Sequence, residues 1–116
     1  MLALLAFMAG FMVLWLLVEI YIQIQLFQLL RDCLKELKEA GVWVYGTAAD
    51  ARQTMYQADL KGPAAIVIGS EGTGMGRLVA ETCDVLLSIP MKGKLNSLNA
   101  SAAAAILLYE AVRQRL

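Results

Sequence analysis

The chain has 116 residues, 59% of them hydrophobic and 17% charged, with ten basic and ten acidic side chains and no histidine. A domain-sized chain of that composition excludes intrinsic disorder and a basic or acidic tail, and its neutral balance removes the electrostatic footprint usual for nucleic-acid binding. The lack of histidine excludes imidazole catalysis and the common zinc sites. Cys33 and Cys83 match no metal spacing and are expected to be free thiols.

The apolar excess is concentrated at the start. Residues 1–30 hold one formal charge, Glu19, and residues 1–18 hold no charged or strongly polar side chain. Such a run is long enough to cross a bilayer core of roughly 30 Å as a helix. It lacks the basic leader and small-residue cleavage site of a signal peptide, so an uncleaved anchor fits better. Past Glu19 the segment turns amphipathic, with Gln23, Gln25 and Gln28 among Ile, Leu and Phe. Arg31, Lys35 and Lys38 follow and favour a cytoplasmic C-terminal part. A buried or oligomer-forming helix is the alternative. Residues 1–30 are thus read as one hydrophobic helix and residues 31–116 as a separate domain.

Within that domain, Leu30, Leu34 and Leu37 keep helical spacing until Gly41, which stands where a helix C′ residue belongs. Val42 to Tyr45 is β-branched and aromatic, a short strand closed by Gly46. Thr47 reads as an N-cap, with Asp50 three residues on, of a helix from Ala48 to about Ala58. Beyond the turn at Lys61-Gly62-Pro63, the unbroken apolar run Ala64 to Ile68 predicts a central strand buried on both faces. A glycine-rich loop leads to a short helix near Gly76–Thr82, then to a third strand, Val85–Ile89, stopped by Pro90. An alanine-rich helix from about Leu98 to Arg115 closes the chain. Strands and helices in alternation, with fully apolar strands, predict an α/β fold: a parallel sheet with helices on both faces.

Ligands of such sheets bind beyond the carboxyl ends of the strands, where two loops stand out. Gly69-Ser70-Glu71-Gly72-Thr73-Gly74-Met75-Gly76 lacks the Lys-Ser/Thr ending of a phosphate loop, and Glu71 would repel a pyrophosphate. A carboxylate there suits a ribose hydroxyl, an amine or a cation. The plain alternative is a glycine-rich turn with no ligand. Pro90 to Ser101 gathers two asparagines and two serines at a helix start. One of them, Asn96 or Ser97, would suffice as an N-cap. The surplus, with the helix's first N–H groups, could hold an oxygen-rich group. Lys92 and Lys94 could meet a phosphate backbone, or simply be solvated.

Taken together, residues 65–115 closely resemble the C-terminal part of the SpoU/TrmH family of RNA 2′-O-methyltransferases, of the SPOUT superfamily. Gly69-Ser70-Glu71-Gly72-x-Gly74-Met75 looks like the family's second motif. Ile89-Pro90-Met91-x-Gly93-x-x-x-Ser97-Leu98-Asn99-x-Ser101 looks like its third, and Leu108 to Arg115 like its closing helix. Leu34 to Thr47 extends the likeness, so that it covers residues 34–116, and it is strongest to the RlmB-type branch, which methylates a guanosine ribose in large-subunit ribosomal RNA.

The resemblance implies S-adenosyl-L-methionine held between the two loops, with Gly69, Ile89, Met91 and Leu98 at cofactor-contact positions. Glu71 and Asn99 match polar active-site residues, supported by Ser97 and Ser101. It implies a trefoil-knotted fold, a homodimer packed partly through the last helix, and ribosomal RNA as substrate in the cytoplasm. A membrane-anchored protein with this domain on the cytoplasmic side is the alternative. The implied chemistry is direct displacement at a sulfonium methyl carbon by a ribose 2′-oxygen, in which alignment and removal of the hydroxyl proton dominate. The family's first motif, an Asn-x-Gly segment followed by an arginine that activates the hydroxyl, has no counterpart among these residues. The expectation is a truncated methyltransferase domain behind an unrelated hydrophobic segment: incomplete, or a catalytically inactive cofactor-binding or dimerising fragment.

Overall fold

The computed structural model describes residues 1–69, 74–92 and 99–116, which fall into two units, Met1–Asp32 and Cys33–Leu116. Helix α1 (Leu2–Glu39) begins in the first unit, where Leu, Ala, Met and Phe favour the helix and no charge interrupts it before Glu19. Every side chain of that unit is exposed except the half-buried Phe27.

The second unit takes over the end of α1, where Leu34 is buried. Gly41 stops the helix as the sequence predicts. At φ +89° it adopts the left-handed conformation, its N–H donates to the Lys38 carbonyl at 3.0 Å, and Val42 N–H donates to Leu37 at 2.9 Å. These two bonds form a Schellman motif, which satisfies carbonyls that a helix end otherwise leaves open.

The sheet has four strands, β1 (Trp43–Thr47), β2 (Gln53–Thr54), β3 (Ala64–Val67) and β4 (Val85–Ser88), all parallel, in the order β2-β4-β1-β3. Helix α2 (Gly74–Thr82) connects β3 to β4, and α3 (Ala100–Arg115) closes the chain. The parallel α/β architecture is therefore the one the apolar strands predict.

Three local expectations change. Gly46 does not close β1: it is buried inside the strand, which runs on to Thr47. The helix expected over Ala48–Ala58 is instead a pair of turns around β2. The reason is long-range: Ala48 N–H donates to the Leu87 carbonyl at 3.0 Å, and Met55 N–H, which a local helix would have used, donates to Ser88 at 3.0 Å, while Gln53 and Thr54 pair with β4. Finally β3, expected at the centre, lies at the edge among the described residues, paired there to β1 alone, and each of its residues is half-buried.

The core gathers Tyr45, Ala58, Leu60 and Leu87, with Ala64, Val85 and Ala111 packed against it. Val44, Leu60, Leu87 and Leu107 are fully buried. Each such side chain contributes about 1.5–3 kcal/mol, as an upper bound. Polar clamps hold the strands in place. The Asp84 carboxylate accepts from Val44 N–H at 2.8 Å while Asp84 N–H donates to the Val44 carbonyl at 2.8 Å, and Lys38 lies 3.7 Å away. At the end of α3, Gln114 accepts from Leu60 N–H at 2.7 Å and donates to the Ala58 carbonyl at 3.0 Å; Arg115 donates to the carbonyls of Leu60 and Gly62.

Candidate functional site

Because the strands are parallel, their carboxyl ends share one edge of the sheet, with β1 between β4 and β3. Three chain segments leave there: Thr47-Ala48 after β1, Ile68-Gly69 after β3, and Ile89-Pro90-Met91 after β4. Thr47 ties them together. Its Oγ1 accepts from Gly69 N–H at 3.1 Å, while the next residue, Ala48, donates to Leu87 on the other side. Reading Thr47 as the cap of its own helix missed this. The available signal was a hydroxyl at the end of an apolar strand.

The two glycines of this region differ in what the fold asks of them. A Cβ on Gly46 would lie 2.7 Å from Cys83 Sγ and 3.0 Å from Leu86 Cδ2, so packing itself demands glycine. A Cβ on Gly69 would meet only Thr47, its carbonyl at 3.5 Å and Oγ1 at 3.8 Å, which is ordinary contact, and Gly69 does not need the left-handed conformation. Nothing among the described residues requires glycine at 69.

Helix α3 ends beside the start of β3, through the bonds of Gln114 and Arg115 to residues 58–62, and follows the segment that leaves β4 at the carboxyl edge. Asn99 is its N-cap: in extended conformation, φ −66° and ψ 160°, it accepts from Ala102 N–H at 2.8 Å through Oδ1. That side-chain oxygen is thus engaged, while Nδ2 has no bond among the described residues. The cap is Asn99 and not Asn96 or Ser97, which with Glu71, Leu98, Ser70 and Lys94 lie outside the described residues. Of the other expected site residues, Gly69 joins Thr47 directly, Ile89 and Met91 are half-buried behind β4, and Ser101 is exposed in the first turn of α3.

Cys83 is not an activated nucleophile. Cys33 and Cys83 are free thiols; burial, the largest cause, pushes the Cys83 thiol up, Lys38 works the other way, and Asp84 adds to the rise. An open polar cleft of about 400 Å³ lies elsewhere, between residues 56–61 and the end of α3. Its Arg113 is already held by Glu110, at 2.8 and 2.7 Å, and that pairing keeps the Glu110 carboxyl at about 2. It is a structural ion pair beside the core.

Compared with known proteins, residues 19–109 match the SpoU rRNA Methylase family, which reaches further toward the N terminus than residue 34. Over 86 residues the chain is 60% identical to 23S rRNA (guanosine-2′-O-)-methyltransferase RlmB of Ralstonia nicotianae, a match over 74% of this chain and 34% of that protein. The TrmH/SpoU tRNA modifying enzyme of A. aeolicus superposes with a TM-score of 0.66 at 35% identity, over 72% of this chain and 43% of the other. The SpoU methyltransferase AviRb of Streptomyces viridochromogenes, solved in complex with AdoMet, gives 0.62 at 37% identity, over 72% and 34%. The chain thus spans about a third of the length of its RlmB relative.

Proposed function

The chain belongs to the SpoU rRNA methylase family, and on that premise we propose that residues 33–116 form the cofactor-binding part of an RNA ribose 2′-O-methyltransferase, with a guanosine of ribosomal RNA as substrate and S-adenosyl-L-methionine as methyl donor. The observation that carries this reading is Gly69: a glycine at the carboxyl edge that nothing among the described residues requires, bonded to a strand end, where the lack of a side chain would let a ligand approach the backbone closely. The RlmB relatives supply the substrate class by name, and AviRb the cofactor.

S-adenosyl-L-methionine supplies a methyl group on a sulfonium, already activated for displacement. The chain's residues bind and orient. Gly69, Ile89 and Met91 offer backbone groups and half-buried side chains at one sheet edge. Asn99, its oxygen engaged in capping α3, keeps two amide donors for the substrate. Glu71 and Leu98 take their roles, as active-site carboxylate and cofactor contact, from the motif match alone. The knot is proposed on the same ground, since residues 93–98 of that region lie outside those described.

The outer side of α3 supports a homodimer. Leu108, Val112 and Leu116 stand one turn apart and are exposed, with Tyr109 beside them at 68% exposure. A second copy would cover that stripe, and Val112→Glu should then shift light-scattering mass from dimer to monomer. The site itself is tested by calorimetry. The folded chain should bind S-adenosyl-L-methionine, Gly69→Trp should abolish binding, and ribosomal RNA should accept labelled methyl. A folded preparation that binds no cofactor overturns the reading.

A second reading attaches to α1, which is long and apolar enough to cross a membrane and is unburied throughout its apolar window. It makes the chain a membrane-anchored protein with residues 33–116 on the cytoplasmic side, in place of a wholly cytoplasmic one. Carbonate extraction of cell membranes decides: an anchored chain stays in the pellet, and a peripheral one is released.

A further inference from the structure

Glu110 is the one buried charged side chain among the described residues, at 4% exposure, and it belongs to neither motif of the site. Its carboxylate is spent within α3. Oε2 accepts from Arg113 Nε at 2.8 Å, and Oε1 accepts from Arg113 Nη2 at 2.7 Å and from Gln114 Nε2 at 3.1 Å. A buried ion pair adds little net stability, because desolvation offsets most of the attraction; its better-attested contribution is to fix register.

That geometry is passed on. Gln114 also donates to the Ala58 carbonyl at 3.0 Å and accepts from Leu60 N–H at 2.7 Å on its amide oxygen. A turned-over amide would set donor against donor at Leu60 and oxygen against the Glu110 carboxylate, so Glu110 helps fix which way Gln114 faces. Arg115 adds bonds to the carbonyls of Leu60 and Gly62. The last turn of α3 is thereby fastened to residues 58–62. Ala103 and Leu107 hold α3 to the core by apolar contact, which is non-directional and leaves the tilt of the helix to this polar lock.

Two arms leave the junction. One runs from Gly62 through β3 to Gly69 beside β1, with Pro63 accepting from Trp43 and Gly69 donating to Thr47; its seven residue steps span about 23 Å. The other is α3 followed from Gln114 back to its N-cap Asn99, fifteen steps that also span about 23 Å. The arms thus end on the two motif positions. A tilt of about 5° at the junction moves the far end of such a helix by about 2 Å.

We propose that Glu110 is a positioning residue for the site: by locking Arg113 and Gln114 it sets the tilt of α3 against β3, and so the distance between Asn99 and Gly69. Its effect on cofactor binding rests on the function proposed above; the lock itself does not.

The test places nitroxide labels on two exposed residues, Ala49 after β1 and Ser101 in α3, in the full chain in detergent with Cys33 and Cys83 changed to alanine. Each variant is measured at a temperature where it is folded. Spin-echo distances should be narrowly distributed in the parent. Glu110→Gln keeps the side-chain size, loses an acceptor, and should broaden and shift the distribution. Leu34→Ala opens a core cavity, leaves the lock intact, and should not. In the unlabelled chain Glu110→Gln should weaken S-adenosyl-L-methionine binding about tenfold by calorimetry, with Leu34→Ala unchanged. Should Glu110→Gln unfold, Arg113→Lys keeps the charge, loses the two-pronged grip, and should give the same broadening. The inference is overturned by an unchanged distribution in a folded lock variant, by equal broadening in Leu34→Ala, or by a cofactor affinity that no lock variant alters. A parent chain that binds no cofactor overturns the proposed function instead, and the distances then decide the lock alone.

Discussion

Alanine at Gly46 and at Gly69 should give opposite results, although the two glycines flank one strand end. At Gly46 the new methyl would sit 2.7 Å from Cys83 Sγ, closer than carbon and sulfur are found in folded proteins, and 3.0 Å from Leu86 Cδ2. The leucine end can swing away. The thiol is less free, since it points at the Val79 carbonyl at 3.4 Å beneath a buried strand. Overpacking of this kind costs about 1–3 kcal/mol, against which loss of glycine's unfolded-state freedom returns about 0.4–1. The net expectation is a destabilisation of about 1–2 kcal/mol. Cys83→Ala deletes the 2.7 Å obstacle and leaves Cys83 Cβ at 3.4 Å, so the double variant should recover most of the loss, with a coupling of about 1 kcal/mol. At Gly69 the methyl meets nothing closer than 3.5 Å, and Gly69→Ala should be neutral or stabilising by up to about 1 kcal/mol. Urea unfolding of the full chain in detergent measures all four, with Trp43 as fluorophore in a Trp15→Phe background. A Gly46→Ala chain as stable as the parent, or one that Cys83→Ala does not rescue, would refute the packing argument. A Gly69→Ala chain that unfolds early would refute the claim that the fold leaves that position free.

Asn99→Ala removes the acceptor for Ala102 N–H and should cost about 1 kcal/mol in the urea midpoint, whereas Asn99→Asp keeps the cap and loses the free amide donors; a methyl-transfer assay on the Asp variant then separates capping from substrate contact. Gln114→Ala strands Leu60 N–H within the core and should destabilise by about 1–3 kcal/mol, with faster Leu60 amide exchange as the signature. The Glu110 carboxyl, held at about 2 chiefly by its bonds from Arg113 and Gln114, lies below its unfolded value of roughly 4.3. Its contribution to stability is therefore complete above about pH 4.3 and fades as pH falls toward 2; Glu110→Gln should flatten the pH dependence of the urea midpoint in that window.

What was legible in the sequence is what short-range chemistry decides. The stop at Gly41 follows from one residue's conformational freedom, and the parallel sheet from strands with no polar face. The lost helix at 48–58 shows the limit: its backbone bonds instead to Leu87 and Ser88, more than thirty residues away, and no local propensity reports that competition. The position of β3 failed for a related reason, because composition says how much cover a strand wants and not whether the chain at hand provides it. For the candidate site, spacing singled out Gly69 and Asn99, but not that Thr47 grips the first or that the second spends its oxygen on α3. Glu71 and Leu98 rest on motif spacing alone.

The strand order has a consequence for how this fold is reached. β1 is in register with β4 through Tyr45 and Val85, and among the described residues β2 has no partner except β4. During synthesis, at roughly 5–20 residues per second, β1 therefore waits several seconds for the strand that must slot between it and β2. Until Val85 to Ser88 emerge, only the β1–β3 pair can form, with unsatisfied edges on both sides. Such late, non-local closure makes folding slow and exposes the nascent chain to aggregation, in contrast to the fast local folding open to α1.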